Sequence, residues 1–386
     1  MNEQNKKIRL AFIIPTLDKG GAERVLLTLV NNLDKSRFEI FIFCLKRRGG
    51  LLPFADPSIT ICDLDCPRAY LALFKVRKYV RLHQPDILIS WLGNLNAILA
   101  FFKPFLPKKV IYMCRESNIP TLYNKHYRVP FVFDFLYRFM NRYQAIICQT
   151  NAMKKDLVDN FHVNSGKIHV IGNPVKAFNK TYEMPDRVGS FLKVSDKLLL
   201  FVGRFSKEKG LDRLLSFIRI LPPGYQLILV GYGPGEKMIS LAIEEAKLEE
   251  QVLIVNNCND PTPYYAKADC IVMTSYVEGM PNVLLEAFSG GCPAVVYKTE
   301  GGVREIITRE NGIYITPESA AGIEEFRDSI ISVCQNPGQY NRGRIIEWVS
   351  QNHGVKVIGE KYMEIFSSQF EHGRKKKHSF PPGQYL

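Results

Sequence analysis

The sequence predicts an α/β protein built from two Rossmann-like, doubly wound domains, and three observations carry this prediction. First, 386 residues are too many for one ordinary hydrophobic core. Second, short apolar runs alternate with helical patterns, which is typical of parallel strands covered on both faces. Third, this alternation forms two successive series along the chain, which indicates two domains of the same kind.

The first apolar run, residues 8–15, follows a basic start and imitates a signal peptide. Its apolar core spans only ~8 residues, and Asp18 and Lys19 stand where a cleavage site needs small residues. We therefore interpret it as the first strand and expect the protein to stay in the cytoplasm. The other predicted strands of the first half are residues 39–45, 86–91, 110–115, 145–150 and 168–173.

Five further strands are predicted in the second half: residues 197–203, 226–231, 252–257, 270–275 and 293–298. A stretch with prolines and mixed charge around residues 173–187 separates the two series. We place the first domain at residues 1–178 and the second at 190–345. A helical segment over 346–370, for which a return to the first domain is one option, and a basic disordered tail over 371–386 follow.

Charge is unevenly distributed between the two halves. Residues 1–173 contain 26 Lys and Arg but 13 Asp and Glu, whereas the remaining residues contain 25 of each kind. The excess of positive charge in the first half indicates an anionic partner: a membrane surface, a phosphorylated lipid or nucleic acid. No apolar run reaches the ~18 residues of a membrane span. The nine cysteines lie mostly in apolar runs, which indicates reduced, buried thiols rather than a metal site.

Ligands of doubly wound sheets bind beyond the carboxyl ends of the strands, so the loops there are the candidate sites. Gly20 and Gly21 open a helix after the first strand, which admits an anion or simply makes a tight turn. Gly203, Arg204 and Lys209 stand in the loop after residues 197–203. Two cations beside a helix N-terminus suit a pyrophosphate, although ordinary surface charge has the same pattern.

The stretch "EGMPNVLLEA" places two carboxylates at the start of a helix. Glu278 lies in the loop, Pro281 suits the first helical turn, and Glu286 follows on the face of Asn282. Ionised carboxylates accept hydrogen bonds from pairs of sugar hydroxyls, while helix N–H groups suit phosphate. The helix dipole alone also favours acidic residues there, but it does not account for Glu286 among apolar neighbours.

In this order, "GGAER", "GRFSKEKG", "EGMPNVLLEA" and "EGGVREII" resemble the retaining, nucleotide-sugar-dependent glycosyltransferases of family 4. These enzymes have the GT-B fold, whose two Rossmann-like domains face a central cleft. The resemblance covers nearly the whole chain and points to members that build bacterial surface glycans. Two glutamates with seven intervening residues are the family signature. The resemblance implies that the first domain binds the acceptor and the second the nucleotide-sugar.

The resemblance also implies roles for single residues. Arg204 and Lys209 would neutralise the leaving diphosphate, and Glu278 would hold the transferred sugar, as the three catalytic residues. Glu286 would accept hydrogen bonds from the ribose. The other implied donor-binding residues are Gly20, Gly21, Gly203, Gly231, Gly279, Met280, Pro281, Asn282 and Val283. The resemblance implies no cofactor and no bound metal, and it implies a UDP-sugar donor that serves as co-substrate.

The acceptor side departs from the family pattern. Many members carry a histidine near the sugar, but the corresponding loop here reads "RESNIP". We predict four acceptor contacts at strand ends of the first domain: Trp91, Asn94, Arg115 and Glu116.

Three stretches of the first half mix aromatic and basic residues: 68–82, 101–109 and 123–143. Aromatic rings bury at a headgroup layer while cations meet phosphates, so these stretches suit an anionic membrane surface. Nucleic acid would suit them too, but no nucleic-acid module is recognisable. We therefore expect a peripheral position on the inner face of the membrane and no nucleic-acid partner.

The sequence thus predicts a glycosyltransferase that moves an N-acetylhexosamine or hexose from UDP to a lipid-linked or glycan acceptor. The alternatives are a non-catalytic module that binds anionic polymer and a GT-B sugar-nucleotide epimerase. A phosphorylase would need a lysine-bound cofactor site, which the sequence does not reveal. An NAD-dependent dehydrogenase would use Gly20 and Gly21 but lacks the full glycine fingerprint.

Overall fold

The structure is a computed structural model that describes residues 6–66, 72–127, 131–178, 182–193, 196–256, 258, 260–316 and 322–378. The chain divides into two compact units. Unit 1 comprises Met1–Pro174 and Val355–Leu386, and unit 2 comprises Val175–Gly354.

Unit 1 is built on a parallel sheet of seven strands in the order β3-β2-β1-β4-β5-β6-β7. The order runs outward in both directions from β1, as a doubly wound sheet requires. All six strands predicted in this half are confirmed. The additional strand, β3, is a four-residue edge strand that is only partly buried, so it gives no continuous apolar signal. The strands are β1 Ile8–Ile14, β2 Phe38–Cys44, β3 Thr60–Asp63, β4 Ile87–Ser90, β5 Ile111–Arg115, β6 Ala145–Cys148 and β7 Ile168–Val170.

Two apolar layers cover the sheet of unit 1, and alternate residues of β1 point into each. Leu10, Phe12 and Ile14 belong to the core beneath α1, whereas Ala11 and Ile13 belong to the core beneath α2, α3, α5 and α6. The first six helices are α1 Gly21–Asn32, α2 Ala72–His83, α3 Gly93–Phe102, α4 Pro120–Tyr127, α5 Val132–Tyr137 and α6 Asn151–Phe161.

Unit 2 has a second parallel sheet, with the order β10-β9-β8-β11-β13-β15, and a small two-stranded sheet of β12 and β14. The five strands predicted here are confirmed, while the short strands β12, β14 and β15 were missed. The strands are β8 Lys197–Val202, β9 Tyr225–Val230, β10 Val252–Val255, β11 Cys270–Met273, β12 Val277–Glu278, β13 Ala294–Tyr297, β14 Glu300–Gly301 and β15 Gly312–Ile315.

The helices of unit 2 pack on both faces of this sheet around one continuous apolar core. They are α7 Asp186–Phe191, α8 Leu211–Ile218, α9 Glu236–Glu245, α10 Thr262–Lys267, α11 Asn282–Ser289, α12 Gly322–Gln335 and α13 Arg342–His353. Single 3-10 turns occur at Leu52–Phe54, Lys103–Phe105, Met140–Arg142, Ser165–Lys167, Lys207–Lys209 and Val303–Glu305.

The end of the chain differs from the prediction of one helical segment over 346–370. Helix α13 ends at His353, and a second helix, α14, covers Val355–His378 and belongs to unit 1. Gly354 separates them in an extended conformation, where a Cβ atom would lie 2.4 Å from the Ser350 carbonyl oxygen. Helix α14 buries Ile358, Tyr362 and Phe366 in the core beneath α1.

Disorder was predicted from residue 371, but α14 continues to His378. The sequence has no proline between Pro337 and Pro381, and a run of lysines suits the negative end of a helix dipole. At Gly373 a Cβ atom would lie 2.9 Å from Ile111, so glycine lets the helix approach the sheet. Residues 379–386 lie outside the described residues. Among the described helices, none combines the length and the hydropathy that a membrane span needs.

Candidate functional site

The loops after β8 and β11 are in direct backbone contact in unit 2. Gly210 adopts a left-handed conformation with φ of 68°, and a Cβ atom there would lie 1.9 Å from the Thr274 carbonyl oxygen. Only glycine permits both the conformation and the approach. The Thr274 hydroxyl donates to the Lys209 carbonyl at 2.8 Å, and the Tyr276 amide donates to the Glu208 carbonyl at 3.0 Å. These bonds bring Lys209 next to the loop that carries Glu278.

Lys209 and Glu278 form an ion pair in which Nζ lies 2.6 Å from Oε1. The Glu278 side chain is 12% exposed and that of Lys209 31% exposed, so the pair is partly shielded from water. Strand β12 fixes the backbone of Glu278, because it pairs with β14 and because the Glu278 carbonyl accepts from the Gly302 amide at 3.2 Å. The structure therefore joins two predicted catalytic residues that are far apart in sequence.

Arg204 lies exposed in the same loop as Lys209. Its positive charge acts on the nearby Glu208. Burial raises the pKa of the Glu208 carboxyl, but the net pKa is lowered. Ser206 and the Glu208 amide donate hydrogen bonds to the carboxylate, and the cations Arg204 and Lys209 lie nearby. The loop therefore concentrates two cations around one carboxylate.

Arg213 on α8 was not predicted, yet it fastens the loop that leads to Glu278. Its Nη1 lies 3.1 Å from the Thr274 carbonyl, 3.3 Å from the Ser275 carbonyl and 2.8 Å from the Lys298 carbonyl. The guanidinium carbon also lies 3.9 Å from the ring centre of Tyr276 and 4.3 Å from that of Tyr297. Stacking and hydrogen bonding together hold the loops after β11 and β13 in one arrangement.

Glu286 meets a polar partner inside an otherwise apolar layer. The hydroxyl of the buried Tyr265, on α10, donates to Glu286 Oε2 at 2.9 Å. The surrounding residues of α11 are core residues: Leu284, Leu285, Ala287 and Phe288. Tyr265, which sequence reasoning missed, thus fixes the orientation of the Glu286 carboxylate.

The other predicted donor-binding residues of unit 2 lie in the same loops. Pro281 caps α11, one position before its first turn. A Cβ atom at Gly231 would lie 1.9 Å from the Gly203 carbonyl oxygen, so glycine is required where the ends of β8 and β9 meet. Gly279, Met280 and Pro281 are buried, and Asn282 and Val283 are half-buried.

Gly20 and Gly21 lie at the N-terminus of α1 in unit 1, as predicted. The Glu23 carboxylate folds back over this end, because a Cβ atom at Gly20 would lie 2.2 Å from Glu23 Oε2. Burial raises the pKa of Glu23, hydrogen bonding to its own amide lowers it, and Asp18 raises it further. A carboxylate of the chain itself thus occupies the space over Gly20.

Two of the four predicted acceptor residues, Trp91 and Arg115, are buried in unit 1, and their role as acceptor contacts stays a prediction. Trp91 is fully buried between strand and helix, and its indole nitrogen donates to the Ala22 carbonyl at 2.9 Å. Arg115 is 1% exposed, lies over the Trp91 ring at 4.5 Å, and donates to Asn173. Both side chains are therefore buried in unit 1 rather than exposed at the strand ends.

The other two predicted acceptor residues, Asn94 and Glu116, line a cavity of about 250 Å³ in unit 1. Glu116 is fully buried, and burial raises the pKa of its carboxyl to about 7.

The described residues contain no disulfide, and eight of the nine cysteines are buried. Within the described ranges, no group of three or more His, Cys, Asp or Glu side chains is arranged to hold a metal ion.

Two family models match the chain one after the other. The model described as Glycosyltransferase Family 4 matches residues 19–177, and the model described as Glycosyl transferases group 1 matches residues 185–346. The first match falls within unit 1 apart from its last residues, and the second falls within unit 2.

Two relatives and one solved structure illustrate the likeness. A Campylobacter jejuni protein is 27% identical over 321 residues, which cover 77% of this chain and 83% of the relative; it is named N-acetylgalactosamine-N,N'-diacetylbacillosaminyl-diphospho-undecaprenol 4-alpha-N-acetylgalactosaminyltransferase. An Escherichia coli protein is 26% identical over 389 residues, which cover 93% and 94% of the two chains; it is named UDP-Gal:alpha-D-GlcNAc-diphosphoundecaprenol alpha-1,3-galactosyltransferase. HepE from Anabaena, solved in complex with UDP, superposes with a TM-score of 0.75 at 19% identity, covering 94% of this chain and 100% of HepE.

Proposed function

Because this chain belongs to the glycosyltransferases of the GT-B fold, we propose that it transfers an N-acetylhexosamine or hexose from a UDP-sugar, with retention of anomeric configuration. The acceptor is a lipid-linked saccharide or another glycan of bacterial surface polysaccharide or glycoprotein synthesis. Unit 1 binds the acceptor and unit 2 binds the nucleotide-sugar. The prediction of an enzyme is confirmed by the family matches, which leaves the non-catalytic polymer-binding module without support.

The ion pair between Lys209 and Glu278 is the main observation that supports a donor site in unit 2. It lies at the carboxyl end of a parallel sheet, where ligands of doubly wound domains bind. Lys209 and Arg204 would stabilise the negative charge that builds up on the departing diphosphate. When the diphosphate attracts Lys209, Glu278 gains hydrogen-bonding capacity for hydroxyls of the transferred sugar.

Glu286 would bind the ribose. A carboxylate that only accepts hydrogen bonds suits two adjacent hydroxyls, and the bond from Tyr265 fixes its orientation. The backbone would contact the nucleotide and its phosphates closely at Gly203, Gly231 and residues 279–283. Gly20 and Gly21, at the N-terminus of α1, stay predicted donor-binding residues.

For the chemical step we propose a front-face displacement in which no side chain acts as nucleophile. The bond between the anomeric carbon and the diphosphate oxygen breaks, and its electron pair leaves with UDP. The acceptor hydroxyl oxygen forms the new bond to the anomeric carbon, and its proton passes to a diphosphate oxygen. The protein contributes position and fixed charge, not covalent chemistry.

The names of the two relatives support a lipid-linked diphosphate acceptor, since both describe transfer to a saccharide on diphospho-undecaprenol. Such an acceptor lies in a membrane. An enzyme that uses it gains from binding the membrane surface.

The surface of α2 and α5 supports this membrane role. Helix α2 buries Val76 and Val80, while Phe74 is 78% exposed beside the exposed cations Lys75, Arg77, Lys78 and Arg81. On α5 and just before it, Phe131 and Phe135 are exposed on the same face of the sheet, because α2 and α5 share one core. Residues 68–71 and 128–130 of the predicted stretches lie outside the described residues. We propose that this face binds the anionic inner face of the membrane as a peripheral contact.

The donor and the stereochemistry are tested together. Purified protein is incubated with UDP-, GDP- and ADP-linked hexoses and N-acetylhexosamines and with a diphospho-undecaprenol saccharide. We expect release of UDP from one UDP-sugar and an α-linked product from an α-linked donor, identified by NMR. An inverted product, or turnover of GDP- or ADP-sugars alone, would overturn the corresponding part of the proposal.

The membrane contact is tested by cosedimentation with vesicles. We expect binding to vesicles that contain phosphatidylglycerol, weaker binding to neutral vesicles, and loss of binding in Phe74→Ser with Phe131→Ser. Tyr232→Ser is the matched control, because Tyr232 is 62% exposed on unit 2. Equal binding of all variants, or none by the native protein, would contradict the role of this face.

A further inference from the structure

The cavity of about 250 Å³ in unit 1 lies at the carboxyl ends of β4 and β5 and at the starts of α3 and α4. The residues that line it are Pro15, Leu92, Gly93, Asn94, Leu95, Glu116, Ser117, Asn118, Pro120, Tyr123 and Tyr137. We propose that this cavity binds one neutral sugar ring and that Glu116 is the residue that holds it. The inference rests on the proposed function and gives this glutamate a defined ligand.

The lining chemistry excludes a phosphate as the ligand. None of the eleven described residues around the cavity is lysine or arginine. The polar groups are two amides, a serine hydroxyl, a carboxyl and two phenols, which suit hydroxyls and an acetamido group. The apolar remainder and the tyrosine rings suit the C–H faces of a pyranose. The volume is below the ~300–1,000 Å³ that drug-sized ligands require, so a single ring fits better than a chain.

Glu116 is held rigidly at the floor of the cavity. Its Oε2 accepts from Asn96 Nδ2 and from the Tyr137 hydroxyl, each at 3.3 Å, and its Oε1 accepts from the Ser117 amide at 3.2 Å. A Cβ atom at Gly93 would lie 2.6 Å from both Glu116 Oε1 and the Tyr137 hydroxyl oxygen. Glycine at the start of α3 therefore lets the carboxyl and the Tyr137 hydroxyl pack directly against the backbone, and a larger residue would displace them.

A second observation in the same place points to a ligand. The Ser117 hydroxyl oxygen is buried, and it has no hydrogen-bond partner among the described residues. Buried polar atoms in native proteins are nearly always satisfied, by protein, water or ligand. A ring hydroxyl that enters the cavity would meet both this serine and the carboxyl of Glu116.

The charge of Glu116 changes near neutral pH, whereas the tyrosine and cysteine side chains that face it stay neutral. Burial raises the pKa of the carboxyl to about 7, although hydrogen bonds from Asn96, Ser117 and Tyr137 lower it. The titratable groups that face it are Tyr137, Tyr143, Cys114 and Cys148, and burial raises the pKa of each well above its ordinary value. Below about pH 7 the carboxyl can donate to a ligand oxygen, and above it the carboxylate only accepts.

The variants Glu116→Gln, Glu116→Ala and Gly93→Ala test the proposal, and Asp156→Asn is the matched control. Asp156 is a buried carboxylate of the same unit that accepts from the Thr121 amide and lies outside the cavity. The KM values for donor sugar and for acceptor are measured separately from pH 5.5 to 9, with UDP affinity measured by calorimetry and folding checked by circular dichroism. Native protein should show a break in one KM near pH 7 that Glu116→Gln abolishes.

We expect Glu116→Ala and Gly93→Ala to raise one of the two KM values about tenfold or more, as the loss of a buried charged hydrogen bond predicts. A change in the acceptor KM assigns the ring to the acceptor, and a change in the donor KM assigns it to the transferred sugar. Unchanged UDP affinity separates this test from the donor site of unit 2. Native KM values in folded Glu116 variants, or the same change in Asp156→Asn, would overturn the inference.

Discussion

The ammonium of Lys209 lies 2.6 Å from the carboxylate of Glu278, although the two residues come from loops after different strands. Each was a candidate for the donor site, but their pairing changes the expected energetics. Under the proposed function, Lys209 would exchange a carboxylate for a phosphate when the donor binds. The pair therefore keeps both side chains ordered before binding and leaves neither charge uncompensated in a partly shielded site.

This pairing predicts the behaviour of the single and double variants. Lys209→Ala should lower kcat by about 100-fold to 1,000-fold, because it removes one group that stabilises the leaving diphosphate. Glu278→Gln should also lower kcat. The double variant should lose less than the product of the two single effects, since each residue orders the other.

Steady-state kinetics with the preferred UDP-sugar measures these effects. Lys193→Ala is the control, because Lys193 forms an exposed ion pair with Glu250 in the same unit. Exposed pairs contribute little, so this variant should keep native kcat. Strictly multiplicative losses in the double variant would show that the pair observed here does not operate during turnover.

Tyr265→Phe should weaken donor binding through Glu286. The hydroxyl that donates to Glu286 Oε2 is lost, which costs about 1 kcal/mol and allows the carboxylate to turn. We expect the KM for the donor and the Kd for UDP to rise about threefold to tenfold while kcat stays near native. Tyr264→Phe in the same helix, also buried, is the matched control. Equal UDP affinity in the two variants would exclude Tyr265 as the orienting group.

The fold was predictable because it depends on patterns that are local in sequence. Continuous apolar strands such as β1 and β8 are visible as runs, and their alternation with helices gives the doubly wound order. The strands that were missed, β3, β12, β14 and β15, have two to four residues and are only partly buried. Strands such as β4 and β7 are equally short and were predicted, but β3, β12 and β14 contain no continuous apolar run that would mark them.

The contacts around the candidate site were less predictable, because they join residues that are distant in sequence. In the sequence, Arg213 is typical of the charged surface of an amphipathic helix. Only the folded structure shows that its guanidinium stacks on the rings of Tyr276 and Tyr297. The burial of Trp91 and Arg115 was not predictable either. Their types suggest a binding surface, but the sheet turns both side chains into the core.

Arg213 should act as a positioning residue for Glu278. Lysine keeps the charge but cannot hydrogen-bond three carbonyls and stack on two rings at once. We expect Arg213→Lys to lower kcat about 10-fold to 100-fold, as small displacements of reacting groups do, with little change in the KM for the donor. A purely structural role would reduce only the fraction of folded enzyme and would leave the kcat of the folded fraction unchanged.

The matched control for Arg213 is Arg219→Lys on the same side of unit 2. Arg219 follows α8 directly and pairs with Glu245 on the surface, with half of its side chain exposed. Its replacement should leave both kcat and the melting temperature native. Thermal unfolding followed by circular dichroism, combined with active-site titration by labelled UDP, separates a loss of folded enzyme from a loss of catalysis.

Glu116 should make the stability of unit 1 depend on pH. Its pKa is raised by burial to about 7 from an ordinary value of 4.5, so the folded state holds the proton more tightly than the unfolded state. Protonation of Glu116 therefore contributes at most about 3 kcal/mol to the free energy of unfolding. This contribution is complete below about pH 4.5 and is lost as the pH rises to about 7. Glu116→Gln cannot ionise, so the difference in the free energy of unfolding between native and variant protein should change over this interval and be constant above it.

Urea unfolding followed by tyrosine and tryptophan fluorescence at pH 5, 6, 7 and 8 measures that difference, with Asp156→Asn as the control. A difference that stays constant from pH 5 to pH 8 would show that Glu116 does not hold its proton in the folded protein.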